Sequence, residues 1–494
     1  MARIHIDLTR KSGSIDRKIY GGFVEHLGRC IYGGIYEEGS PLSDEHGFRK
    51  DVMEAVHGLQ LPLLRWPGGN FVSAYHWTDG IGPVEKRPRQ MELAWHSVEP
   101  NRFGTDEFME YCQVTGIEPY ICVNMGTGTM DEARAWVEYC NGTGDTYWVN
   151  LRRQNGHEAP YNVKYWGLGN EMYGEWQVGA LSPEDYVKKA REFAKVMKWT
   201  DPSIKLVGCG SSGYSDWDKV VIDGLARYMD YYSLHIYTGS DDYYNNVLSP
   251  ALADFAIRIS QALIERARYN QGIEHPISIA YDEWNVWYRQ RSPESRLEER
   301  YNLADALAVS SYLNIFIRHS NAVKMANLAQ LVNVIAPIVT SKEGLFLQTI
   351  YHPLRLYAEQ MQEIVLDTYV ESPKIELTAE NNLSDWGQKI ARLGPFQQLD
   401  VTATINAAGS VLTLAIVNRD KEQAHTTTIQ FADTTVREGA AYEVNGPNVH
   451  SENSFANPET VTVQQRPVEL PSTDQPLRYT FPAHSLTVLR LQLG

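Results

Sequence analysis

Between residues 15 and 370, short apolar runs alternate with longer stretches whose apolar residues recur at helical spacing. The short runs are 19–23, 61–65, 119–124, 163–169, 204–209, 231–236, 277–282 and 323–329. They are mostly continuous in apolar character, as strands buried on both faces are. Helical patterns fall between them, at 48–57, 105–115, 130–140, 183–200, 217–227, 251–269, 297–319 and 354–359. Thr105 is a candidate N-cap, and Ser182-Pro183-Glu184 supplies a cap followed by proline at the first helical position. Eight such repeats in about 350 residues predict a (β/α)8 TIM barrel with insertions over 15–370. A doubly wound sheet is the alternative, but it needs a glycine-rich nucleotide loop after an early strand, and none occurs.

After residue 370 the pattern changes. Strands at 411–417, 426–431, 440–444, 477–481 and 486–493, several with alternating polarity, are divided by turns rich in Asn, Gly, Pro and Ser. They predict a C-terminal antiparallel β-sandwich, jelly-roll-like, over 371–494. Residues 3–10 alternate in the same way, so 1–14 are expected to join it as a strand. Trp386 is the one tryptophan in this part, which favours a structural over a glycan-binding role.

Composition narrows the function classes. The net charge of −16 excludes nucleic acid and anionic membrane as partners, since both need a basic surface. The 12 Trp and 29 Tyr suit a site that stacks on sugar rings. Five cysteines without a Cys-x-x-Cys pair argue against a disulfide framework or a zinc site. No leader-like run and no stretch of eighteen apolar residues is visible, so a cytoplasmic protein is expected, and Asn141 and Asn382 read as chance glycosylation sequons.

Chemistry collects where barrel strands end. Glu171 closes the fourth run and Glu283 the seventh, 112 positions apart, and only a shared barrel mouth brings them together. Two carboxylates facing each other across a pocket are the apparatus of glycoside hydrolysis. Further polar residues belong to the same rim: Glu25-His26 after the first strand, Arg65 and Asn70 after the second, Asn170 beside Glu171, His235 and Tyr237 at the sixth, and Gln348 in the last loop. Each alone has a bland reading: Asn170 as a helix cap, Pro67-Gly68-Gly69-Asn70 as a tight turn, His235 as a core histidine. Their convergence on one face of one barrel carries the argument.

Several motifs, in order, resemble the α-L-arabinofuranosidases of glycoside hydrolase family 51. They are Val24-Glu-His-Leu-Gly-Arg-Cys-Ile-Tyr32, Arg65-Trp-Pro-Gly-Gly-Asn-Phe-Val-Ser73, Tyr165-Trp-Gly-Leu-Gly-Asn-Glu-Met172, Ser233-Leu-His-Ile-Tyr237, Asp282-Glu-Trp-Asn-Val-Trp287 and Gln348-Thr-Ile-Tyr351. The resemblance implies an exo-acting, retaining enzyme with Glu171 as acid/base and Glu283 as nucleophile. It implies that Arg65 and Tyr237 stabilise Glu283, that Glu25, Asn70, Asn170 and Gln348 bind sugar hydroxyls, and that His235 positions Glu171. Trp95 and Trp287 offer apolar faces near the entrance. The acid role requires a protonated Glu171, so the neighbouring carboxylate is expected to raise its pKa. No metal or organic cofactor is implied, and a homo-oligomer, often hexameric, is. Substrates would be arabinoxylan or arabinan oligosaccharides. The same pair of carboxylates also suits an endo-β-1,4-glucanase or a β-xylosidase, and a non-catalytic carbohydrate-binding protein is the reading from another class.

Overall fold

Eight parallel strands close into a barrel in chain order: Gly21–Phe23, Leu63–Trp66, Glu118–Cys122, Tyr165–Leu168, Lys205–Gly208, Tyr231–Thr238, Ser278–Val286 and Val323–Ala329. The last pairs back onto the first through Asn327–Gly21 and Ala329–Phe23. Every strand overlaps one of the predicted runs. The computed structural model describes residues 2–289, 297–378, 385–431, 434–470 and 475–494. Asn382 and the side chain of Trp386 lie outside what is described.

The eight predicted helices surround the barrel, among them Thr105–Thr115, Pro183–Thr200, Ala251–Gln271 and Tyr351–Gln360. The Ser182 hydroxyl accepts from the Asp185 amide at 3.2 Å, the cap its sequence announced. Thr105 is not a cap. Gly104 takes that position, and the Thr105 hydroxyl instead accepts from the buried Trp136 indole at 3.1 Å. Tyr147–Gln154 and Tyr243–Leu248 are further helices that the pattern did not announce. One helical stretch among the described residues, 243–271, is long and apolar enough to cross a membrane, although no such stretch was expected. Most of its apolar window is buried inside the fold, as in a core helix.

The helix Leu303–Arg318 begins later than its apolar pattern, at an Asn302/Asp305 capping box, and every residue but Arg318 is buried. It is apolar all round because it lies between two partners. One is the barrel. The other is a nine-stranded sheet in the order Thr462–Pro467, Val436–Asn445, Ser485–Leu493, Val411–Asn418, Leu399–Ile405, Ile364–Glu371, Ala2–Ser14, His425–Phe431, Leu477–Phe481. Arg318 and Asn314 clamp this contact on the Asp400 carboxylate at 2.9 and 3.1 Å.

Along Val411–Asn418 the period of two separates two cores. Leu412, Leu414 and Ile416 face the sheet's own interior with Ile4, Ile6 and Phe481, while Ala415 and Val417 face the barrel side. The N-terminal strand joins the sheet as expected, but it pairs in parallel with His425–Phe431, so the sheet is antiparallel everywhere else. Ile364–Glu371, which begins on the barrel side of the expected division at 370, is hydrogen-bonded into this sheet.

Candidate active site

At the seventh strand a β-bulge decides the geometry. Ala280 pairs with Ser233 and Glu283 with His235, so three steps on one strand match two on its neighbour. The extra residue lets two consecutive carboxylates, Asp282 and Glu283, both reach buried partners in the barrel mouth. Arg65 Nη1 donates to Glu283 Oε1 at 2.8 Å and to the Asp282 carbonyl at 3.0 Å. Tyr237 donates its hydroxyl to Glu283 Oε2 at 2.8 Å. A buried carboxylate with a guanidinium and a phenol on its two oxygens is held in one orientation. Asp282 lies beside it. Its Oδ1 accepts from Ser233 at 2.5 Å and its Oδ2 from Tyr120 at 2.7 Å. Arg65 and His235 outweigh the burial that would raise its pKa and hold it well below the usual carboxylate range.

Glu171 faces this pair from the tip of the fourth strand. Its backbone sits in the left-handed region at φ 42°, a local strain of the kind stored at functional positions. His235 Nδ1 lies 2.9 Å from its Oε1, Tyr173 donates to the same oxygen at 3.2 Å, and the Trp176 indole donates to Oε2 at 2.7 Å. These contacts reverse one expectation. Burial does push the Glu171 pKa up, but the His235 hydrogen bond and charge, with Trp176 and Tyr173, outweigh it and leave the pKa lowered. His235 shows the converse. Burial opposes its charge, yet Glu283, Asp282 and Glu171 prevail and raise its pKa to about 10.

The third carboxylate, Glu25, closes the far side. Its Oε1 accepts from the Phe71 amide and the Trp95 indole, both at 3.0 Å, and its Oε2 from Gln330 at 2.9 Å. Burial, against the Phe71 hydrogen bond and with help from Glu283, pushes its pKa up to about 7. Between the carboxylates runs the backbone of Gly69. A Cβ there would stand 3.0 Å from Glu283 Oε1, 3.5 Å from Asn170 Nδ2 and 3.6 Å from Glu25 Oε2. This glycine therefore marks the floor on which the polar groups converge. Asn170 is oriented by Arg65, which donates to its Oδ1 at 2.6 Å. Asn70 opens a short 3-10 turn at the rim, half-buried, and its side chain makes no hydrogen bond among the described residues. Trp287 packs edge-on against Tyr237, ring centres 5.4 Å apart.

Gln348, in the last loop, is buried. Its amide is spent on the backbone, accepting from Tyr301 N at 2.9 Å and donating to the carbonyls of Glu299 and Ala336 at 2.9 and 2.8 Å. Gln330, the residue after the eighth strand, stands beside Glu25, and sequence reasoning missed it together with Tyr173, Trp176 and Asp282. Its position at a strand end was the available signal.

One ligand atom each from Glu171, His235 and Glu283 lies within 4.8 Å of the others, close enough to share a cation. Hydrogen bonds already account for all three, and the Arg65 guanidinium bonded to Glu283 disfavours a second positive charge there. The donor set fits a pair of facing carboxylates better than a metal centre.

A (β/α)8 barrel with two such carboxylates in its mouth defines a glycoside hydrolase. Comparison with known proteins narrows the class. Residues 55–249 match the family model of the alpha-L-arabinofuranosidase 1 domain, and residues 282–485 that of the alpha-L-arabinofuranosidase C-terminal domain. A probable alpha-L-arabinofuranosidase C of Aspergillus flavus is 44% identical, covering 99% of this chain and 97% of its own. An intracellular exo-alpha-(1->5)-L-arabinofuranosidase of Halalkalibacterium halodurans is 45% identical over 76% of this chain and 79% of its own. The crystal structure of an alpha-L-arabinofuranosidase from Thermotoga maritima, in complex with arabinose, superposes over 100% of both chains with a TM-score of 0.90 at 43% identity. The chain belongs to the alpha-L-arabinofuranosidase family, and it is a glycoside hydrolase acting on arabinofuranosides.

Proposed function

We propose that Glu283 is the nucleophile and Glu171 the acid/base of a double displacement that removes terminal α-L-arabinofuranosyl units from arabinoxylan or arabinan oligosaccharides. The observation that carries this reading is the closeness of the two carboxylates, with oxygens within 4.8 Å of each other. Retaining pairs stand about 5–5.5 Å apart, whereas inverting pairs leave about 6.5–9.5 Å for a water. Glu283 attacks the anomeric carbon, the glycosidic bond breaks, and the leaving oxygen takes a proton from Glu171. Glu171 then removes a proton from water, which displaces Glu283 with net retention.

The supports around the pair fit these roles. Arg65 and Tyr237 hold both Glu283 oxygens and keep the carboxylate aimed. Glu25, Asn70, Asn170 and Gln348, with Gln330 beside Glu25, are the groups for the sugar hydroxyls, Asn170 standing next to the acid for the 2-OH. Trp95 and Trp287 supply the apolar walls. Exo action and a cytoplasmic site draw support from the relative named as an intracellular exo-enzyme. A homo-oligomer, the hexamer first, belongs to the same reading. So does a division into a catalytic barrel of 15–370 and a sheet unit of 1–14 with 371–494, its boundary best moved ahead of Ile364–Glu371.

Initial rates on aryl α-L-arabinofuranoside, β-D-xyloside and β-D-glucoside, alongside carboxymethylcellulose, test the substrate. Strong preference for the arabinofuranoside is expected. Turnover of cellulose without it would replace the exo pocket by an endo cleft.

A further inference from the structure

Asp282 has no place in the double displacement just described, yet the bulge brings it to a buried position directly behind the reacting groups. It is 2% exposed, and His235, which it touches, is 8% exposed. The contact is between Asp282 Oδ1 and His235 Nε2, at 3.3 Å. On the other edge of the same ring, Nδ1 lies 2.9 Å from Glu171 Oε1. A carboxylate, an imidazole and the acid/base carboxylate therefore stand one beside the next.

Hydrogen positions follow from this order. A carboxylate only accepts and stabilises positive charge, so Nε2 keeps its hydrogen beside Asp282. The Nδ1···Oε1 contact then needs a second hydrogen, because two lone pairs facing each other at 2.9 Å repel. That hydrogen belongs to the His235–Glu171 pair jointly: either His235 is cationic and Glu171 ionised, or both are neutral. We propose that Asp282 is a positioning residue for the acid step, fixing His235 with Nε2–H inward so that Nδ1 holds the proton which Glu171 delivers to the leaving group. This rests on the acid/base assignment of Glu171 made above.

The proton balance is simple. The Nδ1–H bond breaks and an O–H bond forms on Glu171. That bond breaks in turn as the leaving oxygen is protonated, and His235 is left neutral with its remaining hydrogen on Nε2, beside the Asp282 carboxylate. In the second half, Glu171 takes a proton from water and Nδ1 recovers it. His235 thus recharges the acid without exchange with bulk solvent.

The groups around His235 leave its charge to few partners. Glu171 and Tyr173 face it from the fourth strand's loop, Asp282 and Glu283 from the seventh strand, with Arg65 and Tyr120 behind these, Ser233 and Tyr237 on its own strand, and Cys209, just past the fifth strand, bonded to Met172 beside Glu171. Burial pushes the Cys209 thiol and the Tyr120, Tyr173 and Tyr237 phenols up, so they stay neutral. The three carboxylates and Arg65 carry the charge that sets the shared proton.

Asp282→Asn tests this. The amide removes the charge and offers Nε2 a donor, favouring the opposite tautomer, in which a neutral His235 donates to an ionised Glu171 with no proton to give. Turnover of arabino-oligosaccharides should fall about 100-fold or more, while activated aryl arabinofuranosides lose about tenfold or less. The alkaline limb of the kcat/KM profile should move to lower pH, because removing a negative charge lowers the proton affinity of the pair. Equal losses on both substrates with an unmoved limb overturn the proposal, leaving Asp282 as packing. Ser233→Ala gives an independent sign should the first variant not fold. It strips one donor from the Asp282 carboxylate, which then holds the imidazolium more strongly, so the limb should rise; a fall, or no movement, overturns the proposal. Glu171→Ala, assayed alongside, separates the two levels. If it shows no leaving-group discrimination, the acid/base assignment fails and the proposal with it. If it discriminates and Asp282→Asn does not, only the proposal fails.

Discussion

The two ends of the barrel interior are built from the same strands and do opposite things. At the lower end Leu63, Tyr120, Tyr165, Val207, Ala280 and Met325 form one apolar layer. Two residues further along the strands, on the same inward face, Leu63 gives way to Arg65 and Ala280 to Asp282. The lower layer stabilises by removing apolar surface from water. The upper one buries charge, which costs stability unless each group is paired. Arg65 with Glu283 and Asn170, Asp282 with Ser233 and Tyr120, and His235 with Glu171 are that pairing. Stability and chemistry are thus segregated along the barrel axis, and substitutions at the two ends should separate rate from stability.

The largest effect is expected from Glu283→Ala. It should lower kcat roughly 10⁴-fold or more with the thermal midpoint kept, since it removes the group that forms the intermediate. Residual activity near that of the parent would remove Glu283 from the nucleophile's role. Glu171→Ala comes next. On poor leaving groups it should lose about 10²–10⁴-fold, far more than on activated aryl glycosides, and added azide should restore deglycosylation. Gly69→Ala is a subtler intrusion. A methyl 3.0 Å from Glu283 Oε1 should cost about 10–100-fold in kcat/KM while the fold persists, because the floor of the sugar site moves outward. Unchanged kinetics would show that substrate does not lie on Gly69. Met325→Ala sharpens the contrast from the other end. Truncating this buried side chain should cost about 2–5 kcal/mol in denaturant unfolding and leave kcat unchanged.

Most of the barrel was legible because its strands are short apolar runs bounded by turns, and the helices between them keep an amphipathic period. What stayed hidden has specific causes. The bulge before Glu283 is a matter of pairing between strands, which one strand's own sequence does not contain. Gln330 lies inside the apolar stretch 323–338, where it reads as core. The lowered pKa of Glu171 depends on donors that come from the loop after its own strand and from the sixth strand. The carboxylate pair itself was readable, because each member closes an apolar run and barrels direct such positions to one mouth.

The most direct test is to trap the intermediate. The Glu171→Ala variant, mixed with an activated aryl α-L-arabinofuranoside and quenched with acid, should carry one arabinosyl group, and peptide mapping by mass spectrometry should place it on Glu283. An arabinosyl group on another residue, or a burst of aryl release with none attached, would contradict the double displacement through Glu283.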